Sequence, residues 1–257
     1  MINFSGVPQS KWLGRALRLP LRLIPKNAKV RILQGPLRGK YWISGSSDHG
    51  CWLGSYEAAK QRKAAELVRP GMICWDIGAN VGFYTLLLAE LVGRTGRVYA
   101  FEPLSRNREV LQSHVEMNGY SNVKIIPSAL GRFDGDAEFD PGPNNSMGRL
   151  VGGGVMRVAC VMVDTLFATG HAEIPDLVKI DIEGGEADLL TAGHTLLEHH
   201  PLILLATHNA DANHSCRELL TAHGYEIQAV GDEAADVCHE LVATYPFVRR
   251  SRSGGSH

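Results

Sequence analysis

Two stretches of this sequence place carboxylates and glycines at spacings that chemistry can use. Lys179-Ile-Asp-Ile-Glu-Gly-Gly-Glu186 alternates so that Asp181 and Glu183 fall on one side of an extended chain, while Gly184 and Gly185 leave room for a ligand. Carboxylates so placed can orient a hydroxyl and take its proton. Asp181 is the first candidate for that base, with Glu183 as its substitute. The pair could also share a metal ion, but no third ligand stands at a telling spacing, so no metal is expected. Glu186 reads as the start of the following helix, where a carboxylate complements the helix dipole. Imidazoles titrate near neutral pH and are the other base candidates. His208 follows an apolar run and His49 lies in the front section, whereas His194, His199 and His200 sit at a helix end and read as structural.

The second stretch, Trp75-Asp-Ile-Gly-Ala-Asn-Val-Gly-Phe83, falls where a strand gives way to a helix. Gly78 permits a tight turn close to a ligand and Gly82 lets the helix start against it. A dinucleotide fingerprint would read G-x-G-x-x-G and hold a pyrophosphate on the helix N-terminus. Here the loop is Gly78-Ala79-Asn80-Val81-Gly82, and the Asp two places ahead would repel a pyrophosphate. Asp76 suits the ammonium of an amino acid instead. Glu102 ends the next strand, 26 residues after Asp76, where a carboxylate can accept both hydroxyls of a ribose. At the third strand tip Ser128 can hydrogen-bond a base, although no acidic partner for an exocyclic amine stands beside it. A nucleoside carrying a zwitterion describes S-adenosyl-L-methionine (SAM), and Gly78, Ala79, Asn80, Gly82, Glu102, Ser128 and Asp181 are expected around it. Methyl transfer from its sulfonium is an in-line displacement, to which alignment of the reacting atoms contributes much.

The elements that must position these residues alternate from Met72 onward. Strands are expected over 72–77, 97–101, 123–127, 177–181 and 202–207, with later ones over 226–230 and 241–247. Helices are expected over 83–91, 106–118, 186–197 and 214–223. This is the pattern of a doubly wound, mostly parallel α/β sheet. Ahead of it come a short basic amphipathic helix over 12–24, a hairpin over 29–45 and a helix over 57–68. Residues 133–157, with Asp140-Pro-Gly-Pro-Asn-Asn-Ser146 and Gly152-Gly-Gly154, read as irregular, either a lid or a hairpin excursion. The boundaries expected are 1–70 for the N-terminal basic extension, hairpin and cap helix, 71–250 for the cofactor-binding domain, and 251–257 for a polar tail.

Composition narrows the classes. At 257 residues with a net charge of −1, the chain has no general field for nucleic acid. No apolar run is long enough to span a bilayer. Nine Lys or Arg and no carboxylate precede Asp48, so contact of the basic N-terminus with a membrane surface is kept as a minor alternative to a solvated arm. The five cysteines are odd in number and widely spaced, which suits a reducing, cytoplasmic setting.

The sequence resembles the FkbM family of class I SAM-dependent methyltransferases. The resemblance rests on His49-Gly-Cys-Trp-Leu-Gly-Ser-Tyr-Glu57, Asp76-Ile-Gly-Ala-Asn-Val-Gly-Phe-Tyr-Thr85, Phe101-Glu-Pro103, Val163-Asp-Thr-Leu166 and Val178-Lys-Ile-Asp-Ile-Glu-Gly-Gly-Glu186. It implies a Rossmann-like seven-stranded sheet with an antiparallel final pair, SAM across the strand tips, and Trp52, Tyr56 and Glu57 closing over it. It also implies O-methylation of a hydroxyl on a sugar, glycan or secondary metabolite. Ala206 and Thr207 stand where the family commonly carries a Glu, which puts a catalytic carboxylate there in doubt. N-methylation of an amine or peptide, and a SAM- or carbohydrate-binding protein without catalysis, are the alternatives. A nicotinamide-dependent oxidoreductase is disfavoured by the glycine spacing and Asp76.

Overall fold

A computed structural model of the chain describes residues 24–142, 148–150, 152–231 and 238–246. The helix expected over 12–24 and the polar tail lie outside these, except for Ile24.

The front section folds into the expected two-stranded antiparallel hairpin, β1 (Lys29–Arg31) and β2 (Tyr41–Ile43), then a short helix that was not expected, α1 (His49–Leu53), and the expected one, α2 (Ala58–Leu67). The alternating core follows as β3 (Ile73–Ile77), α3 (Phe83–Val92), β4 (Arg97–Phe101), α4 (Ser105–Met117) and β5 (Val123–Ile126). A small sheet intervenes, made of β6 (Ala129–Leu130), β7 (Gly135–Asp140), β8 (Arg149–Leu150) and β9 (Met156–Val161). The chain then resumes with α5 (Val163–Thr169), β10 (Leu177–Ile180), α6 (Glu186–Ala192), α7 (His194–Glu198), β11 (Leu202–Ala206), α8 (Ala210–Ala222), β12 (Glu226–Ala229) and β13 (Glu240–Thr244).

The main sheet has the order β12-β13-β11-β10-β3-β4-β5. β13 alone runs against its neighbours, pairing antiparallel with both β11 and β12. From β3 the chain builds outward through β4 and β5, then returns to lay β10 on the other flank of β3. The order therefore reverses between β3 and β10, which opens a crevice at the carboxyl ends of those strands. This is the class I methyltransferase, Rossmann-like arrangement that the resemblance implies.

Every residue of β3 and β10 is buried, because helices cover both faces of a parallel sheet and remove the need for a polar side. Alternation divides them between two cores. Cys74, Val98, Ala100 and Leu177 face one, while Trp75, Ile77, Phe101, Val178 and Ile180 face the other. α3 is apolar nearly all round, the mark of a helix with no solvent face. The front section supplies its outer cover: Trp42 of β2 meets Phe83 edge-on, and Tyr56 does the same at 5.1 Å. His114 of α4 stacks on Trp42 at 3.9 Å, accepts a hydrogen bond from the Ile43 N–H and donates to the Val81 carbonyl.

Two expectations need correction. The described residues of 133–157 are not irregular but pair as the hairpin alternative has it, β7 antiparallel to β9: Ala137 and Phe139 of β7 and Val158 and Cys160 of β9 point inward on alternate positions, with Leu104 completing a third core. The single helix expected over 186–197 is two, broken at Gly193. All five cysteines are buried and unpaired. Among the described residues no helix is long and apolar enough to cross a membrane.

Candidate functional site

A cavity of about 690 Å³ lies at the carboxyl ends of β3, β4 and β10, within the range of ligand pockets. Its floor is the loop from β3 to α3. Gly78 sits at φ +75°, and a Cβ there would overlap the Asp181 carbonyl, so the loop can cross the tip of β10 only as glycine. The Gly78 and Ala79 N–H groups both donate to the Phe101 carbonyl, which docks the loop on β4.

Glu102, only 4% exposed, lines the cavity beside that loop. Its Oε2 accepts from the Asn80 N–H at 2.8 Å, and Oε1 accepts from the Leu104 N–H at 2.9 Å and from Asn107 Nδ2 at 3.2 Å. Burial pushes its pKa up, against those donors and Lys179. These bonds occupy three of about four lone-pair sites, leaving one on Oε2 for the cavity.

Asp76 does not line the cavity, although Ile77 and Gly78 beside it do. It is wholly buried beneath the floor, accepting from Thr85 Oγ1 at 2.6 Å and facing Lys179 Nζ at 3.2 Å. Lys179 in turn donates to the Gly78 carbonyl at 2.9 Å and lines the cavity. The expected direct contact of Asp76 with an ammonium is thus corrected: its charge is spent on Lys179, and it acts on the cavity through that lysine and the loop. Burial pulls the Lys179 pKa down, but Asp76 and Asp181 outweigh it and raise it.

The fourth strand's tip brings together the residues the sequence singled out. Asp181 Oδ1 lies 3.3 Å from His208 Nε2, and Glu183 Oε2 lies 3.5 Å from the same nitrogen. Burial raises the Asp181 pKa, but Lys179, His208 and Lys60 more than offset this and hold the carboxyl well below the usual range. Glu183 moves the other way, pushed up mainly by burial. His208 precedes Asn209, the N-cap of α8, whose side chain accepts from the Ala212 N–H at 2.7 Å. Hydrogen bonds to Asp181 and Glu186 push the His208 pKa up to about 10. Glu186 begins α6 as expected, and it is fully buried, with Oε1 accepting from the Gly184 N–H and 3.0 Å from His208 Nδ1.

Tyr56 and Glu57 line the cavity, as expected, together with Ala79, Asn80 and Gly82. Glu57 Oε2 accepts from the Tyr84 hydroxyl at 2.7 Å and pairs with Lys60 at 2.9 Å. Lys60 also pairs with Glu240 at 2.7 Å, joining the front section to β13. His49 does not line the cavity; its Nδ1 accepts from Trp52 Nε1 within α1, and Trp52 is core. Ser128 is buried with its hydroxyl unpartnered, while Ala129 and Leu130 beyond it form the wall. Sequence reasoning missed Lys179, Lys60 and Glu240. It also missed Arg132, Arg149 and Arg157, which line the mouth from the small sheet and its approach. Lys179 alone carried a signal, a charge inside an apolar strand run.

Comparison with known proteins bears on this geometry. The profile of the FkbM methyltransferase domain matches residues 76–227. The hexuronic acid methyltransferase AglP of Haloferax volcanii is 26% identical over 140 residues, 53% of this chain and 56% of that protein. A protein-L-isoaspartate O-methyltransferase of Methanococcoides burtonii is 32% identical over 59 residues, 23% of this chain and 29% of that one. The chain thus spans about half, or less, of the length of these relatives. Among solved structures, Aeropyrum pernix fibrillarin with bound SAM superposes with a TM-score of 0.47 and 16% identity, covering 73% of this chain and 76% of that one. A SAM-dependent methyltransferase of Aquifex aeolicus gives 0.44 and 15%, covering 72% and 88%.

Proposed function

The chain belongs to the FkbM methyltransferase family, whose cofactor is SAM, and from that premise we propose that it methylates a hydroxyl of an acidic sugar or glycan. The observation that carries this reading is the convergence of Glu102, Asp181 and Glu183 on one cavity at the switch point of the sheet.

The residues present fit the cofactor. Glu102 is a buried carboxylate already tied by two backbone N–H groups and Asn107, and the lone pair left on Oε2 suits a ribose hydroxyl. The glycine loop and the ends of β3 and β10 border the space beside it, where an amino-acid moiety would lie against Lys179 and the Gly78 backbone. When bound, SAM supplies an electrophilic methyl group on a sulfonium.

The chain's own residues handle the acceptor. Asp181, held ionised by Lys179, accepts a hydrogen bond from the acceptor hydroxyl and fixes its direction. Glu183, whose pKa is raised, takes the proton as oxygen becomes the nucleophile. His208, cationic between them, favours the developing oxyanion. An amine acceptor fits less well, since two carboxylates would hold it as a non-nucleophilic ammonium.

The acidic acceptor is supported by Arg149 and Arg157 in the cavity lining, where guanidinium forks suit a carboxylate; Arg132 beside them already pairs with Asp188 at 3.5 Å. A hexuronic acid, the substrate class named for the Haloferax volcanii relative, carries such a group.

Calorimetric titration with SAM, on the wild type and Glu102→Ala, followed by methyl transfer to uronic-acid, neutral-sugar and amine acceptors, tests the reading. Wild-type binding lost in the variant, with transfer to the uronic acid, supports it. Absence of wild-type binding sinks it. Binding with no transfer to any acceptor favours a module without catalysis.

A further inference from the structure

We propose that Asp181, Glu183 and His208 form a divalent-cation site on the wall of the cavity. One ligand atom from each lies within 4.8 Å of the others. The third ligand comes from the loop after β11, far enough along the chain that spacing could not reveal it.

The orientation of the imidazole argues for a cation. Glu186 Oε1, fixed by the Gly184 N–H at 2.9 Å, stands 3.0 Å from His208 Nδ1 and can only accept there, which puts a proton on Nδ1. Nε2 therefore turns toward Asp181 Oδ1 and Glu183 Oε2. A divalent ion binding here displaces the second proton of His208, after which three acceptors meet at one place with the ion's charge between them. A charge-assisted bond between an imidazole and a carboxylate is usually ~2.7–2.9 Å long. The observed separations are 3.3 and 3.5 Å. Ligand bonds of ~2.1 Å at angles between octahedral and tetrahedral place neighbouring ligand atoms roughly 3.0–3.4 Å apart. The two separations from Nε2 are near that spacing.

An independent feature points the same way. Glu186 is a fully buried carboxylate behind the histidine, the arrangement that sets the tautomer and basicity of metal-bound imidazoles. Its Oε2 has no hydrogen-bond partner. Two carboxylates and one imidazole suit Mn²⁺ or a similar borderline-hard divalent ion, and three protein ligands leave positions open to the cavity.

The ion's catalytic part rests on the methyl-transfer reading; its binding does not. An acceptor hydroxyl coordinated at an open position loses its proton to bulk water through the mouth, because the ion stabilises the alkoxide. The alkoxide oxygen then bonds the methyl carbon as the carbon–sulfur bond breaks. In this state the ion takes over the part otherwise played by Glu183.

The test is Mn²⁺ titration of the full chain, followed by the loss of the free-ion electron paramagnetic resonance signal. It is run on wild type, Glu183→Gln, His208→Ala and Glu186→Gln, with SAM affinity and thermal melting measured on each. One saturable site, weakened at least tenfold in the first two variants and about tenfold in Glu186→Gln while folding and SAM affinity persist, is the expected result. No saturable binding by folded wild type, or binding indifferent to Glu183→Gln and His208→Ala, overturns the site. Mn²⁺ binding at this site by a chain that does not bind SAM upholds it and sinks the methyl-transfer reading.

Discussion

Lys179 Nζ lies 3.2 Å from Asp76 Oδ1; Asp76 is wholly buried under the floor of the cavity, and Lys179, itself buried, forms part of the lining. The lysine reaches on to the Gly78 carbonyl at 2.9 Å and to Asp181 at 3.7 Å. One buried cation thus ties the glycine loop after β3 to the carboxylates after β10, the two elements between which the sheet reverses.

Removing one member of that pair strands the other's charge, a loss of about 3–5 kcal/mol for a buried ion pair. Lys179→Met and Asp76→Leu are each expected to cost that much in urea denaturation. The double variant should be less destabilised than the sum of the two, and full additivity would show that the pair does not couple.

Gly78→Ala meets two obstacles at once: a φ of +75° and overlap with the Asp181 carbonyl. Neither can be relieved without moving a strand tip, so a loss of more than about 2 kcal/mol is expected, with weaker SAM binding. Gly170→Ala is the control, at φ +65° and ψ +19° in a left-handed helix C-cap with open space around its would-be Cβ. It should cost about 1 kcal/mol and leave SAM binding alone. Equal losses in the two would place the whole effect in the dihedral angle.

Burial lowers His114 from 6.5 to about 4, against its bond to the Val81 carbonyl. The neutral ring is required, since Nε2 accepts from the Ile43 N–H. A depressed folded-state pKa gives stability that is fully present above about 6.5 and lost as pH falls through about 4. The shift corresponds to about 3 kcal/mol. Denaturation between pH 7 and 4 should show this fall in wild type, with the slope reduced by one proton in His114→Gln; an unchanged slope would remove His114 from the account.

Arg157→Ala should raise KM for a uronic-acid acceptor about tenfold while leaving kcat and SAM affinity unchanged, as expected for loss of a charge-assisted contact made equally in ground and transition states. A neutral sugar acceptor should be unaffected. A fall in kcat for both acceptors would assign the arginine to holding the small sheet instead.

Much of this protein was legible in its sequence because the deciding interactions are local or periodic. β4 begins and ends where expected, and β3 and β10 within a residue, since strands covered on both faces read as unbroken apolar runs bounded by turns. Gly78 and Gly82 announced the loop because backbone geometry acts within a few residues. The small sheet was misread because Pro and Gly around Asp140 and Gly152 outweighed a period-two pattern that Ala137, Phe139, Val158 and Cys160 do carry.

What only tertiary structure decided are the partners. Nothing near Asp76 in the chain shows that its counter-ion is Lys179, and nothing near Asp181 shows that His208 faces it. The same holds for His49, a plausible base until its Trp52 hydrogen bond within α1 is seen. The sequence determined which backbone conformations and apolar faces were available, because those depend on each residue and its neighbours. The roles of the charged side chains were settled by the parallel crossovers that set β10 beside β3 and β11 beside β10, because electrostatic interactions depend on distance in space and on burial, not on separation along the chain.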